Sequence, residues 1–117
     1  MVPMQDQSWI AQMRKGCAEY CILMTLSGGE AYGYEILQRL SGCEPLKLGE
    51  STVYPLLSRL TRDGFLTVQV RQSSSGPPRR YYRLTASGRD RLHSMHTYWG
   101  DLVATMSLLK REARHES

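Results

Sequence analysis

Residues 51–60, with the sequence STVYPLLSRL, decide the fold of this 117-residue chain. Four apolar residues stand here at i, i+3, i+4 and i+7, namely Val53, Leu56, Leu57 and Leu60. This spacing places one apolar stripe along an α-helix. Pro55 fits the helix because it lies near the start, where backbone amides have no intrahelical partners. We therefore predict a helix that begins between Gly49 and Ser51 and ends at Asp63-Gly64. Its other face is polar: Ser51, Thr52, Tyr54, Ser58, Arg59 and Arg62.

The spacing of apolar residues changes after this helix. Residues 65–70, FLTVQV, are β-branched and roughly alternating, which is typical of a strand. Residues 81–84, YYRL, are the candidate antiparallel partner. Residues 71–80, RQSSSGPPRR, are polar and rich in glycine and proline, so they predict a loop. Two strands joined by a flexible basic loop form a hairpin with a protruding tip.

Two helices precede the deciding segment. Apolar residues recur at intervals of three and four from Trp9 to Leu26, which predicts an amphipathic first helix that Gly28-Gly29 ends. A second helix is predicted from about Tyr32 to Leu40, followed by a loop that contains Gly42 and Pro45. The second and third helices then form a helix-turn-helix, and the hairpin is the wing of a winged helix.

A long last helix is predicted from Ala86 to about Lys110, with Thr85 as its N-cap. Its apolar residues follow the spacing of a short coiled-coil seam: Leu92, Met95, Trp99, Leu102, Met106 and Leu109. A helix of about 25 residues spans about 37 Å, which is long for a lone core helix in so small a domain. We therefore expect a homodimer rather than packing on its own domain alone. The expected interface adds Ile10, Met13 and Cys17 of the first helix to the seam.

The predicted fold class is mainly α with a small β-hairpin. We expect a winged helix-turn-helix domain over residues 1–85, with its first helix over 8–27. A dimerisation helix over 86–110 and a polar tail over 111–117 follow. The composition, with 41% hydrophobic and 22% charged residues, is near the globular average.

Positive charge is concentrated in the middle of the chain. The net charge is +4, and residues 51–91 carry eight arginines against two aspartates. Arginine presents a planar fork of donors that matches phosphates and guanine edges. The second helix of a helix-turn-helix enters the major groove, and a basic wing contacts the DNA backbone or minor groove. The candidate DNA contacts are Tyr32, Lys47, Ser51, Thr52, Tyr54, Pro55, Arg59, Gly76, Arg79 and Arg80. A winged helix that binds another protein is the alternative.

Other functional classes find little support. The sequence shows no catalytic triad order, no nucleotide-binding loop and no paired carboxylates, so we expect neither an enzyme nor a cofactor. Cys17 and Cys21 share a helix face, but they lack further ligands nearby, and buried structural thiols are favoured over a metal or redox sensor. His93 and His96 lie on another helix. With no signal peptide and no apolar span, we expect a cytoplasmic protein without a membrane partner.

Several strings together resemble the PadR family of bacterial transcriptional regulators. They are residues 32–36 (YGYEI), 51–60 (STVYPLLSRL), 63–66 (DGFL), 76–85 (GPPRRYYRLT) and Gly88. The resemblance covers roughly residues 10–110. The chain has a single helix after the wing, which is similar to the compact subfamily that includes a multidrug regulator. The resemblance implies a homodimer in which the last helix of one subunit packs across the first helix of the other. It also implies repression that an effector relieves.

The same resemblance implies a candidate effector site at the centre of the dimer. In the multidrug regulator, flat aromatic drugs stack on a paired tryptophan, which Trp99 matches in position. His96 stands where that regulator has an aromatic residue, and Val103 stands where it has an acidic one. A planar aromatic effector is therefore one interpretation of Trp99, and plain interface core is the other.

Overall fold

The computed structural model describes residues 8–116, with side chains as far as Arg114. The elements are, in chain order, α1 (Ser8–Leu26), β1 (Ala31–Tyr32), α2 (Gly33–Ser41), α3 (Glu50–Arg62), β2 (Leu66–Ser73), β3 (Gly76–Leu84) and α4 (Ala86–Glu116). The predicted fold class is confirmed: a helical protein carries a small antiparallel sheet, in the order β1-β3-β2, and ends in a long helix. Within the described residues, no helix is long and apolar enough to cross a membrane.

The hairpin is longer than its sequence predicts. Residues 71–80, predicted as a loop, instead extend both strands, and only Ser74 and Ser75 form the turn. The ladder continues to the pair Ser73–Gly76, with a shift of register between Arg71 and Ser73. Such an irregularity leaves room for prolines, which cannot donate to a regular ladder. Pro77 and Pro78 therefore mark a bulged strand and not a flexible loop.

Two further differences from the prediction concern short or polar segments. The two-residue strand β1 was not predicted, because it is defined only by its pairing with Tyr81 and Tyr82 of β3. The last helix continues to Glu116, past the predicted end at Lys110. Residues 110–114, KREAR, are good helix formers without glycine or proline, so polarity alone does not end the helix.

The core lies where α1, α2, α3, the sheet and the first turns of α4 meet. Its largest fully buried side chains are Ile22, Leu23, Ile36, Val53, Leu57, Leu60 and Leu66. As predicted, Thr85 caps α4: its Oγ1 accepts from the Gly88 amide at 2.9 Å and donates to the Gly64 carbonyl at 2.7 Å. A Cβ on Gly88 would lie 2.1 Å from the Phe65 carbonyl oxygen, so only glycine fits where α4 passes the start of β2.

The second half of α4 projects from the rest of the protomer. Leu92 is its last buried residue, and every side chain from Val103 to Arg114 is exposed. The molecule is accordingly elongated, with extents of 61 × 36 × 21 Å.

Candidate nucleic-acid interface

Helix α3 separates its apolar stripe from a solvent-facing polar face. Val53, Leu57 and Leu60 are at most 1% exposed. Around the helix, the residues opposite that stripe are all exposed: Ser51, Pro55, Ser58 and Arg62. Ser51 and Pro55 are predicted DNA contacts, and Ser58 and Arg62 lie on the same face by helical spacing. Thr52 is half-buried at one edge of this face.

Tyr54 stands at the other edge of the polar face, against the start of α2. Its side chain is 38% exposed. A Cβ on Gly33 would lie 3.5 Å from Cε1 of Tyr54, an ordinary van der Waals distance, so the Tyr54 ring lies directly beside the start of α2. Partial burial, followed by the nearby Glu50 carboxylate, raises the pKa of Tyr54 above its ordinary value. The phenol therefore keeps its proton at neutral pH and can donate a hydrogen bond.

Two arginines of the wing stack on two neighbouring tyrosine rings. The Arg71 guanidinium lies 4.4 Å from the centre of the Tyr81 ring, and the Arg79 guanidinium lies 4.5 Å from the centre of the Tyr32 ring. The Tyr32 and Tyr81 rings are 5.6 Å apart, centre to centre. Arg71 also donates to both carboxylate oxygens of Glu30, at 2.7 and 2.9 Å. Its charge is therefore balanced, whereas Arg79 has no carboxylate partner within the described part of the chain.

A cleft of about 550 Å³ separates the start of α2 from the tip of the wing. Its walls bring together four of the predicted candidates, namely Tyr32, Gly76, Arg79 and Arg80, with Gly33, Tyr34, Ser73, Ser75, Pro77 and Pro78. The guanidinium groups of Arg79 and Arg80 favour an anion here, whereas the Tyr32 backbone amide at the start of α2 already donates to Oε1 of Glu35 at 3.1 Å. The two arginines thus give one wall of the cleft a positive charge.

Two predicted candidates lie apart from this cleft. Lys47 follows α2 in a left-handed conformation, with φ of 42°, and its Nζ lies 2.7 Å from Oε1 of Glu44. Arg59 lies on the flank of α3 that faces α1, where its Nη2 donates to Oε1 of Glu19 at 2.9 Å. Both cations are thus paired with carboxylates in this structure.

The candidate dimer residues fall into three groups by exposure. Leu92 is 6% exposed and belongs to the core of its own protomer, and Met95 packs against that core. Ile10, Cys17 and Leu102 are half-buried. Met13, Trp99, Met106 and Leu109 are between 40% and 62% exposed. Trp9, Tyr98 and Val103 add to the same exposed apolar surface of α1 and α4.

A second cavity, of about 380 Å³, lies between α1 and α4. Its lining includes Trp99 with Gly16, Glu19, Tyr20, Arg91, Ser94, Met95, Tyr98 and Leu102. His96 and Val103, the other two effector candidates, do not line it. The Nδ1 atom of His96 instead shares a hydrogen bond of 2.6 Å with the Tyr20 hydroxyl. The Tyr20 ring lies 5.7 Å from the Trp99 ring.

The three cysteines form no metal site in the described part of the chain. Cys17 is half-buried, Cys21 is buried and Cys43 is exposed. Burial, then the neighbouring Cys17 and Cys43, raises the pKa of the Cys21 thiol, which keeps it protonated and unreactive at neutral pH.

The predicted DNA contacts all lie within a segment that matches a known protein family. A family model, the transcriptional regulator PadR-like family, matches residues 22–94. A PadR-like transcription factor from Bacteroides fragilis is 39% identical, with a TM-score of 0.71, over 88% of this chain and 99% of its own. A PadR-like transcriptional regulator from Bacillus cereus is 36% identical, with a TM-score of 0.73, over 84% of this chain and 95% of its own.

The negative transcriptional regulator PadR of Bacillus subtilis is a longer protein that matches a smaller part of this chain. It is 33% identical over 81 residues, which are 64% of this chain and 42% of that protein. Its crystal structure in complex with operator DNA is similar to this structure with a TM-score of 0.61 at 32% identity, over 66% of this chain and 45% of its own.

Proposed function

The chain belongs to the PadR-like family of transcriptional regulators, and from that premise we propose that it binds double-stranded operator DNA as a homodimer and represses transcription until a small molecule releases it. One observation carries the proposal: the polar face of α3, the start of α2 and the basic wing meet at Tyr32, Gly33 and Tyr54. The DNA complex of the Bacillus subtilis relative supports the choice of partner.

Sequence preference would come from α3. Its N-terminal residues contact base edges when such a helix lies in the major groove. Ser51, Thr52 and the protonated phenol of Tyr54 supply hydroxyl donors for this contact, and Pro55 supplies an apolar surface for a thymine methyl group. Arg62 lies at the far end of the same face; its side chain is 72% exposed, and its Nε is 4.0 Å from Oδ1 of Asp63.

The wing cleft would hold the phosphate backbone. Arg79 is stacked on Tyr32 and carries an unbalanced charge, and Arg80 lines the same cleft. Phosphate contacts of this kind fix the position of the protein without reading the sequence. They also make binding depend strongly on salt, because each contact releases condensed counterions from DNA.

The dimer would be formed by α4 and α1. The seam residues Trp99, Met106 and Leu109 of α4 are 40–57% exposed in one protomer, and fully burying an exposed large apolar side chain contributes roughly 1.5–3 kcal/mol. A second copy, with its α4 packed across α1, covers this surface and the exposed Met13. Two α3 helices about 34 Å apart then match successive turns of one DNA face. In this arrangement residues 1–85 bind DNA and α4 joins the protomers.

The cavity beside Trp99 is the candidate effector site. Trp99, Tyr98 and Tyr20 offer flat apolar surfaces to a planar aromatic ligand. Titration of the Trp9→Phe variant with 9-aminoacridine, without DNA, tests this site through Trp99 fluorescence. Saturable quenching beyond that of free tryptophan supports the site. Quenching no stronger than that of free tryptophan leaves Trp99 as interface core.

Selection of binding sites from a random duplex library tests the proposed function directly. We expect enrichment of a palindrome, which a gel shift then confirms with the same purified protein. A protein that enriches no sequence and shifts no duplex at micromolar concentration and low salt is not a DNA-binding regulator. The winged helix would then be a module that binds another protein.

A further inference from the structure

Tyr34, in the first turn of α2, is a large aromatic side chain that the protomer leaves exposed. It is 54% exposed, and its hydroxyl bonds to no other residue in the described part of the chain. Tyr32 differs, because its ring contacts the Tyr81 ring and the Arg79 guanidinium. Ile36 of the same helix is fully buried, so Tyr34 lies on the side of α2 away from the core. Its hydroxyl is therefore available to a group outside the protomer.

Tyr34 lies between the two surfaces that would contact DNA. On one side it lines the wing cleft together with Arg79 and Arg80. On the other side it is a near neighbour of Tyr54: after partial burial and Glu50, Tyr34 is the next cause that raises the pKa of the Tyr54 phenol. Tyr34 thus connects the wing cleft to the edge of the polar face of α3.

The geometry of a duplex brings a sugar-phosphate strand to this position. When α3 lies in the major groove and the wing lies at the adjoining minor groove, one strand runs between them, because a single strand separates neighbouring grooves. The first helix of a helix-turn-helix crosses the DNA backbone. Helix α2 is that helix here, and its first turn carries Tyr34.

We propose that the Tyr34 hydroxyl donates a hydrogen bond to a phosphate of this strand. Tyrosine is among the side chains that bond to phosphate oxygens in protein–DNA complexes. The inference rests on the proposed function, in which α3 enters the major groove and the wing binds beside it. It adds to the arginine contacts one that carries no charge, because a tyrosine phenol is uncharged at neutral pH.

Loss of an uncharged phosphate contact differs in its effects from loss of a wing arginine or of Tyr54. A hydrogen bond to phosphate carries no sequence information, so its loss weakens binding to every duplex, whereas loss of a base contact weakens binding to the operator alone. The salt slope depends on the number of phosphates that cations neutralise. Loss of a neutral donor therefore leaves the slope unchanged, whereas loss of an arginine contact reduces it.

The Tyr34→Phe variant tests the proposal on two duplexes, the selected palindrome and a scrambled version of it. Fluorescence anisotropy over a range of salt concentrations gives the Kd and the salt slope for each duplex. We expect the Kd to rise about fivefold on both duplexes, the loss that corresponds to one hydrogen bond. The salt slope should change by less than about 0.3, well below the value of about 0.9 for one charged contact.

Two further variants calibrate this result. Ser107→Ala removes an exposed hydroxyl of α4 and should leave the Kd and the slope unchanged on both duplexes. Arg80→Gln should weaken binding to both duplexes and reduce the slope by about 0.9 for each phosphate contact that is lost. The melting temperature of Tyr34→Phe should equal that of the unmodified protein, because the exposed hydroxyl bonds to no residue in the described part of the chain.

Three results for Tyr34→Phe would overturn the proposal. An unchanged Kd on both duplexes would show that the hydroxyl does not contact DNA, and a loss confined to the palindrome would make Tyr34 a base contact. A reduced slope or a lower melting temperature would show that the substitution disturbs the arginine contacts or the fold. If the unmodified protein does not discriminate between the duplexes, the proposed function fails first. If it does and only Arg80→Gln weakens binding, this inference alone fails.

Discussion

Tyr54 combines a packed ring with a hydroxyl that bonds to no other residue in the described part of the chain, and this allows two substitutions to separate its roles. We expect Tyr54→Phe to weaken operator binding about fivefold with little effect on random DNA, because a single hydrogen bond contributes roughly 0.5–1.5 kcal/mol. Tyr54→Ala also removes the ring beside Gly33 and should weaken operator binding further. Fluorescence anisotropy on both duplexes measures this. An equal loss on both would make Tyr54 a backbone contact.

Arg79 and Arg80 differ from Arg71 of the wing in their charge balance. The charge of Arg71 is balanced by Glu30, whereas no carboxylate pairs with Arg79 or Arg80 in the described residues. We expect Arg79→Ala with Arg80→Ala to weaken binding to all duplexes and to reduce the salt slope by about two contacts.

The control for the wing is Arg111→Ala, which removes an exposed arginine of α4 far from the wing. It should leave the salt slope unchanged. If the double variant binds as tightly as the unmodified protein, the wing is not a DNA-binding element.

At the scale of elements, an ion pair between Arg71 and Glu30 is one of the contacts that join the wing to the body of the protein. The hydrogen bonds from Arg71 hold the pKa of Glu30 below its ordinary value of 4.5. A carboxylate with a lowered pKa in the folded state stabilises the fold at neutral pH. This contribution is lost as the pH falls below 4.5 toward the folded-state pKa.

We therefore expect Glu30→Gln to have a lower melting temperature than the unmodified protein at pH 7. The difference should shrink as the pH is lowered toward 3. Thermal denaturation across this range measures it, and Glu112→Gln on α4 is the matched control. A difference independent of pH would mean that the Glu30 carboxylate does not stabilise the wing as a charge.

The elements themselves were largely predictable, because each helix has its own apolar period and its own end signals. The stripe Val53, Leu57 and Leu60 determined α3, and Thr85 determined the start of α4. The wing strands were underestimated because polar residues and prolines at an exposed hairpin carry no strand period of their own.

The candidate site was less predictable than the fold. The composition showed a basic middle segment, but it did not show which arginines are already paired. Arg59 meets Glu19 across 40 residues of sequence, and Arg71 meets Glu30 across 41. Such partners depend on how α1 crosses α3 and on where the turn before β1 lies. No local pattern encodes either arrangement.

At the scale of the whole molecule, the exposed half of α4 makes one protomer incomplete. Leu102 is at the centre of the predicted seam and is half-buried already in a single protomer. We expect Leu102→Glu to give a monomer, or an unfolded chain, that no longer binds a palindrome. Light scattering coupled to size-exclusion chromatography, with circular dichroism, separates these two results.

Leu108→Glu is the matched control for the dimer, since Leu108 is 47% exposed and lies outside the seam. It should remain a dimer that binds DNA. A folded monomer for the unmodified protein at micromolar concentration would contradict the proposed assembly.

The close approach of Gly88 to Phe65 has a geometric consequence for such an assembly. It fixes a fulcrum near one end of α4, with 28 residues of helix beyond it. That arm is about 42 Å long, so a tilt of about 5° at the fulcrum displaces its far end by about 4 Å. A methyl group at Gly88 would tilt α4 at this contact. The displacement would grow along the helix and change the separation of the two α3 helices in the dimer.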